Sequence, residues 1–255
     1  MADDAVIYER RERVAWLTID RPDSRNALSR EVREGLWAGL RRFVDDGAAM
    51  ALVLTGAGDR AFCAGGDLKE MAGDGLEVPP PDYLPYPGRN LDVPKPLIAA
   101  VNGAAYAGGF LLAQMCDLCV AAEGARFAIS EARWGRGMPW AAPLPWLIPP
   151  RVALELLLTG SPIDARRAHE VGLVNQVVPL ADLRETCQQL GERIAANAPL
   201  TVRAAKRMVY ASAGRDWQEA LEEGDRLFEP VYRSRDAREG PRAFRERRDP
   251  RWEGA

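Results

Sequence analysis

AFCAGGDLKEM at residues 61–71 is the first of two glycine-rich stretches in this chain, and NGAAYAGGF at residues 102–110 is the second. Each follows a run of β-forming residues, 51–55 before the first and 97–101 before the second. This order predicts a strand that ends in a turn opening a helix. Glycine lets a ligand approach the backbone, and the first N–H groups of a helix lack intrahelical partners. Because two such amides converging on one oxygen would stabilise an oxyanion, we expect a site at these turns.

Composition places the chain among ordinary globular proteins. It has 255 residues, of which 47% are hydrophobic and 28% charged, enough for one large domain or two small ones. The net charge is −3 and both signs are spread along the chain, which argues against nucleic-acid binding. No apolar run reaches the roughly 18 residues of a membrane helix, and the acidic start at residues 1–4 is unlike a signal peptide. We therefore expect a cytoplasmic protein without a membrane partner.

Two further motifs are incomplete. Cys116 and Cys119 form a Cys-x-x-Cys pair, but no second pair follows and His169 is the single histidine. We expect these cysteines to fill core positions and expect no metal. The G-x-G-x-x-A pattern that starts at Gly56 resembles a dinucleotide fingerprint but does not open a helix directly. We interpret it as a tight loop.

Strand-like and helix-like segments alternate along the first half of the chain. Residues 14–19 alternate as a strand does, and Ser29 is the predicted N-cap of the helix that follows. The order continues to a predicted strand at 118–122, which favours an α/β core. From residue 151 the chain is predicted to be helical, with glycines or turns closing the segments 152–159, 165–171, 183–196 and 200–213.

Two segments have a different composition. Residues 72–96 contain seven prolines and no periodicity, which is typical of a lid, so we expect this segment to border the site. Residues 217–248 alternate acids and bases. This pattern fits either a solvated helix or packing on a neighbouring subunit, and both interpretations stay open.

The chain resembles the enoyl-CoA hydratase/isomerase (crotonase) family in the order and spacing of its motifs. The similar segments are residues 21–28, 61–71, 102–110, Cys116-Asp117, 127–131, 158–160, 168–174, 236–240 and Phe244, which together span nearly the whole chain. The resemblance implies an α/β fold, a spiral of ββα units, with a core at 1–195 and a helical trimerisation region at 196–255. It also implies a homotrimer or a dimer of trimers.

The resemblance assigns roles to particular residues. In this family an acyl-CoA thioester carbonyl lies between two backbone N–H groups, which by motif position belong to Gly66 and Gly108. Contacts with CoA or substrate are implied at Arg25, Ala27, Ala64, Asp67, Leu68, Leu111 and Trp140. No cofactor is expected, because coenzyme A is part of the substrate.

One departure from the family pattern concerns acid–base chemistry. Hydratases of the family use two glutamates that share a water, and here Leu111 stands at the first position while Glu131 matches the second. Trp140 falls near a glycine that helps to hold that water. A leucine cannot accept a proton, so hydration would need Glu131 alone or another group, such as Asp67 or a lid residue. Isomerisation needs one base only.

Three functions follow. The first is an enoyl-CoA hydratase/isomerase-type enzyme with Glu131 as its single acid/base. The others are an acyl-CoA-binding homologue that has lost catalysis and a CoA-ester lyase of another reaction type. Trp134, Trp140 and Trp146 are either the wall of an acyl pocket or ordinary core residues.

Overall fold

The computed structural model describes residues 5–74 and 78–255. Its strands are β1 Val6–Arg11, β2 Val14–Ile19, β3 Ala51–Gly56, β4 Ala61–Cys63, β5 Leu97–Val101, β6 Ala104–Tyr106, β7 Leu118–Ala122, β8 Arg126–Ala128, β9 Ile163–Asp164 and β10 Gln176–Val178. Its helices are α1 Arg30–Asp45, α2 Leu68–Asp74, α3 Gly108–Gln114, α4 Leu144–Leu147, α5 Pro150–Thr159, α6 Ala165–Glu170, α7 Leu183–Ala195, α8 Pro199–Ser212, α9 Trp217–Arg233 and α10 Asp236–Glu246.

The larger sheet has six strands in the order β1-β2-β3-β5-β7-β10, with β1 antiparallel to β2 and the other pairs parallel. Successive side chains of a strand point to opposite faces, and both faces of this sheet are covered. Leu17 on β2 packs with Leu36 and Phe43 of α1. Its neighbour Trp16 packs in a second cluster with Cys187 of α7. The sheet is thus covered by α7 on one face and by elements that include α1 and α3 on the other.

The smaller sheet has four short strands in the order β4-β6-β8-β9. In the sequence, each of the larger sheet's strands β3, β5 and β7 is followed by a strand of the smaller sheet, namely β4, β6 and β8. Each glycine-rich turn therefore follows a short strand, β4 or β6, and not the long strand before it as predicted. The glycine turns lie together because β4 and β6 are hydrogen-bonded neighbours.

Most of the longer predicted elements are confirmed. β2, β3, β5 and β7 lie where the sequence predicts strands, and Ser29 caps α1 by accepting a hydrogen bond from the N–H of Val32. The helical second half is confirmed for its predicted segments, but the region is not helical alone: β9 lies in the predicted turn at 161–164 and β10 lies between two predicted helices. Asp164 nevertheless caps α6, accepting a 2.7 Å hydrogen bond from the N–H of Arg167. Gly160 ends α5 with a φ of 60°, which favours glycine.

Helices α8, α9 and α10 follow one another at the C-terminal end of the chain, and α8 packs against α9. The division into 1–195 and 196–255 remains a prediction. Within residues 5–74 and 78–255, no helix combines the length and the apolar character that crossing a membrane requires.

Candidate functional site

A cleft of about 1030 Å³ opens beside the two glycine turns. The predicted site residues that line it are Arg25, Ala27, Ala64, Gly66, Asp67, Gly108, Leu111, Glu131 and Trp140. The remaining one, Leu68, begins α2, and its side chain lies outside the described part of the chain. The structure therefore brings into one cleft residues that are up to 115 positions apart in the sequence, from Arg25 to Trp140.

The two turns pack directly against each other. Gly65 has a φ of 93°, and a Cβ built on it would lie 2.8 Å from the Cβ of Ala107 and 2.9 Å from the carbonyl oxygen of Tyr106. Only glycine fits this approach. Ala107 itself has a φ of 51°, a conformation uncommon outside glycine, at the entry to α3. Neither Gly66 nor Gly108 donates its N–H to another backbone group in the described turns and loops.

Asn26 organises the backbone on one side of the cleft. Arg25 and Asn26 both have positive φ values, and the Asn26 side chain is fully buried. Its Oδ1 accepts a hydrogen bond from the N–H of Arg21, and its Nδ2 donates to the carbonyl oxygens of Ala57 and Ala61. These three bonds fix the turn that carries Arg25. A change in the turn would break them and leave a buried amide without partners, which is costly in free energy.

Asp67 forms an ion pair with Arg21 at 3.2 Å. Burial raises the pKa of the Asp67 carboxyl, but hydrogen bonds from Arg21 and from backbone N–H groups outweigh this, so the pKa lies below its usual value. A carboxylate stabilised in this way is a weak base. The structure thus disfavours Asp67 as a substitute for the glutamate that the resemblance implies for hydratases at position 111.

Positive charge dominates the lining of the cleft, although the whole chain is slightly acidic. Among the described lining residues, five are cationic, Arg21, Arg25, Lys69, Arg89 and Arg136, and three are carboxylates, Asp23, Asp67 and Glu131. Such a surface suits a ligand that carries phosphate groups.

Glu131 begins a short 3₁₀ turn that follows β8. The residue is 8% exposed, and its Oε2 is buried without a hydrogen-bond partner among the described residues. Burial raises the pKa of the carboxyl, while its own backbone N–H and the side chain of Trp140 partly oppose this effect. A buried carboxyl with a raised pKa in a cleft has the properties of a proton-transfer group.

Apolar side chains cover the wall next to Glu131. Leu111 lies on α3, three residues after Gly108, and the Trp140 ring packs 6.1 Å from the ring of Phe110. Trp134 also lines the cleft. Trp146 is absent from the described lining and is 70% exposed, so both interpretations of this residue, pocket wall and core residue, were wrong.

The proline-rich segment borders the cleft as predicted, through Val78, Pro79, Pro80, Pro81, Tyr83, Leu84, Tyr86, Arg89 and Asn90. Residues 75–77 of this segment lie outside the described residues. Asn90 holds the loop together: its Oδ1 accepts the Tyr86 N–H at 2.7 Å, and its Nδ2 donates to the carbonyl oxygens of Pro81 and Leu84. Sequence reasoning missed Tyr86 and Asn90, since no local pattern marks them.

The cysteines fill core positions. Cys63, Cys116, Cys119 and Cys187 are all buried and unpaired in the described structure. Burial raises the pKa of each thiol, which keeps it protonated and unreactive. The described residues contain no group of side chains suited to hold a metal ion.

Comparison with known proteins shows a relationship that covers most of the chain. The family model described as enoyl-CoA hydratase/isomerase matches residues 9–255. Carnitinyl-CoA dehydratase of Salmonella typhimurium is 37% identical over 252 residues, covering 93% of this chain and 94% of that protein. Carnitinyl-CoA dehydratase of Proteus mirabilis is 36% identical over 255 residues, covering 94% of this chain and 95% of that protein.

Solved structures agree with this relationship. An enoyl-CoA hydratase from Mycobacterium marinum has a TM-score of 0.90 at 37% identity, covering 99% of this chain and 100% of that one. An enoyl-CoA hydratase from Mycobacterium tuberculosis H37Rv has a TM-score of 0.90 at 38% identity, with the same coverage. The expected crotonase-like α/β fold is confirmed. The chain belongs to the enoyl-CoA hydratase/isomerase family.

Proposed function

We propose that this enzyme binds an acyl-CoA thioester and forms its enolate, with the N–H groups of Gly66 and Gly108 as an oxyanion hole and Glu131 as the single acid/base. The observation that carries the proposal is a buried carboxyl with a raised pKa in the same cleft as two backbone N–H groups that have no backbone partner in the described turns and loops. The family to which the chain belongs supports the acyl-CoA class of substrate.

The chemistry needs few groups. The thioester oxygen accepts hydrogen bonds from Gly66 and Gly108, and the Glu131 carboxylate takes a proton from the α-carbon. Loss of one such donor typically costs about 2.7–4 kcal/mol of transition-state stabilisation. The cationic side chains of Arg25, Lys69 and other lining residues then face the phosphates of CoA.

Several reactions share this enolate. Glu131 returns its proton to another carbon in isomerisation, or to a leaving hydroxyl in dehydration. Dehydration is the candidate favoured by relatives at 36–37% identity that are named carnitinyl-CoA dehydratase. Decarboxylation and other lyase reactions would use the same hole without needing Glu131 as a base.

We further propose that the enzyme works in the cytoplasm as a homotrimer or a dimer of trimers. Large apolar side chains exposed on α9 and α10 support self-association. Coenzyme A enters as part of the substrate, and the proposed chemistry requires no separate cofactor.

The proposal is tested by exchange of the α-protons of butyryl-CoA in D₂O, followed by mass spectrometry. The variant Glu131→Gln keeps the size of the side chain but removes its basicity, so exchange should fall about a hundredfold or more. The affinity for butyryl-CoA should stay unchanged, because the oxyanion hole and the cationic lining remain. Glu123→Gln, at an exposed glutamate after β7, is the matched control.

The outcomes separate the candidate functions. Exchange at the wild-type rate in Glu131→Gln would contradict the role of Glu131. Binding of butyryl-CoA without any exchange in the wild-type enzyme would favour the acyl-CoA-binding alternative. Loss of carbon dioxide or of another fragment from a suitable CoA ester would favour the lyase.

A further inference from the structure

Glu70 connects α2, the helix that follows the first glycine turn, to the start of α1. Its two carboxylate oxygens both accept the backbone N–H of Arg30, the first residue of α1, at 3.0 Å. Such an N–H has no partner within its own helix, and the positive end of the helix dipole favours a carboxylate there. α2 begins two residues after Gly66. The turn that carries Gly66 is therefore held between β4 and a helix that is bonded to α1.

Leu28, just before α1, contacts both glycine turns. Its N–H donates to the carbonyl oxygen of Gly65 at 2.8 Å. Its Cδ1 packs against Gly108, where an added Cβ would lie 2.5 Å from it. The residue is 1% exposed, and a close-packed interior leaves it little room to move independently. A shift of Leu28 would therefore change the placement of the two turns relative to each other.

Arg33, in the first turn of α1, joins these two contacts to the proline-rich segment that borders the cleft. Its Nη1 donates to the carbonyl oxygen of Leu28 at 3.0 Å and to the hydroxyl oxygen of Tyr83 at 3.1 Å. The same nitrogen lies 3.4 Å from Oε2 of Glu70, which makes an ion pair. The guanidinium carbon lies 4.3 Å from the centre of the Tyr83 ring, within cation–π range. One side chain thus contacts Leu28, α2 and the proline-rich segment.

These contacts suit an arginine. The Nη1 nitrogen has two N–H groups, which satisfy the oxygens of Leu28 and Tyr83, while the positive charge attracts Glu70. The side chains of Arg33 and Glu70 are 16% and 25% exposed, so water screens their attraction only partly. Arg33 does not belong to the described lining of the cleft, whereas Tyr83 does. Arg33 is therefore placed to position other residues rather than to contact a ligand.

We infer that Arg33 is a positioning residue for the oxyanion hole, and that it links the geometry of the hole to the place of Tyr83 in the cleft wall. With Tyr83 in place, the guanidinium holds Leu28 against both glycine turns. The N–H groups of Gly66 and Gly108 then stay aimed at one oxygen. Displacement of Tyr83 removes one of the partners that hold the guanidinium. The inference rests on the proposed function, because it takes these two N–H groups as the donors to the thioester oxygen.

The infrared carbonyl band of bound butyryl-CoA, isotope-labelled at the thioester carbonyl carbon, reads the hole directly. Hydrogen bonds to the carbonyl oxygen weaken the C=O bond and shift its band to lower wavenumber, and no turnover is needed. The ester bound to the wild-type enzyme should show this shift relative to the free ester. Arg33→Gln removes the guanidinium but keeps a polar side chain, and it should give a smaller shift.

The kinetics of α-proton exchange provide the second measurement. In Arg33→Gln, kcat should fall by up to about a hundredfold, as expected when catalytic groups are misplaced by about 1 Å. KM for butyryl-CoA should change little, because the cationic lining of the cleft remains. A general loss of folded enzyme would not reduce the band shift of the ester that is bound.

Trp37→Phe is the matched control. Trp37 lies one turn beyond Arg33 on α1, and its Nε1 donates to the carbonyl oxygen of Asp82 at 2.9 Å. This variant therefore also removes a bond between α1 and the proline-rich segment, but that bond does not involve Leu28 or α2. Both the band shift and kcat should stay at their wild-type values.

A double variant tests the link to Tyr83. Tyr83→Phe removes the hydroxyl that accepts from Arg33, so it should also reduce the band shift. Because both residues act through one contact, Arg33→Gln/Tyr83→Phe should lose no more of the shift than Arg33→Gln alone. Additive losses would overturn the link.

Arg33→Lys replaces Arg33→Gln if the latter does not fold, since it keeps the charge beside Glu70 but lacks the planar guanidinium. It should likewise give a smaller band shift than the wild type. An undiminished shift in the Arg33 variant, or an equal loss in Trp37→Phe, would overturn the role of Arg33. Absence of any shift in the wild-type enzyme would instead refute the oxyanion hole of the proposed function.

Discussion

Glu131 must be an ionised carboxylate in order to accept a proton, yet it lies where ionisation is costly. Burial raises its pKa in the folded protein above the value in the unfolded chain. The rate of α-proton exchange should therefore fall, as pH is lowered, at a higher pH than for an ordinary glutamate. A pH profile of kcat/KM for exchange measures this. An acidic limb at the usual glutamate pKa would contradict it.

The same residue makes a prediction about stability. A carboxyl with a raised folded-state pKa contributes most favourably below its unfolded pKa of about 4.3, and this contribution is lost as pH rises through the folded pKa. Glu131→Gln has no such titration. Its Tm should therefore rise relative to wild type as pH increases from 4 to 7, whereas Glu123→Gln should show no such trend. Scanning calorimetry at several pH values measures the difference.

At the scale of elements, the start of α3 allows a comparison of neighbouring glycines. A Cβ on Gly109 would collide with the backbone carbonyl of Cys63, whereas one on Gly108 would meet the flexible Cδ1 of Leu28 at 2.5 Å. Gly109→Ala should therefore destabilise the protein strongly, since backbone of β4 would have to move. Gly108→Ala should fold and mainly impair exchange. Chemical denaturation measures the free energy of unfolding of both variants. Equal values would contradict the prediction that Gly109→Ala is the less stable of the two.

The elements also show where sequence reasoning reaches its limit. β2, β3, β5 and β7 are long enough for a β-forming run to be visible, and α1 has a recognisable cap. β4, β6, β8 and β9 have two or three residues each, too few for any periodicity. Their pairing depends on neighbours that the rest of the fold supplies. The sequence therefore predicts the larger sheet better than the smaller one, although the smaller one carries the glycine turns.

The candidate site likewise contains residues that the sequence predicts and contacts that only the fold reveals. Its cleft residues were predicted from contiguous motifs, and so was the leucine at position 111, where the resemblance implies a glutamate in hydratases. The contact of Gln114 with the backbone of Trp140 was not visible, because it joins α3 to a loop 26 residues later. The ion pair that makes Asp67 a weak base likewise required the fold.

For the whole molecule, the surface of the C-terminal helices predicts association with other copies. Trp217 on α9 is 83% exposed and Phe244 on α10 is 88% exposed. Side chains of this size are common at protein interfaces and costly to leave in water. Phe244→Asp should reduce the mass measured by light scattering from that of three or six chains towards that of one. Gln218→Asp, at a polar position of α9, is the control that should leave the assembly intact.

A single-chain mass for the wild-type protein would contradict the proposed trimer and favour the interpretation of 217–248 as solvated helix. Intact assembly in Phe244→Asp would instead place the interface on another surface.

The pairing of β4 with β6 determines which positions of this enzyme can be substituted without moving the glycine turns. Adjacent hydrogen-bonded strands lie about 4.8 Å apart, and the two glycine turns leave the ends of such a pair. The separation of the two turns is consequently set by backbone pairing, and a replacement alters it only where it displaces that backbone, as at Gly109. A change of reaction has to arise from residues that project past the turns, at positions such as 86, 111 and 131. Libraries that vary those positions and conserve both turns are thus the economical route to new CoA-ester chemistry on this scaffold.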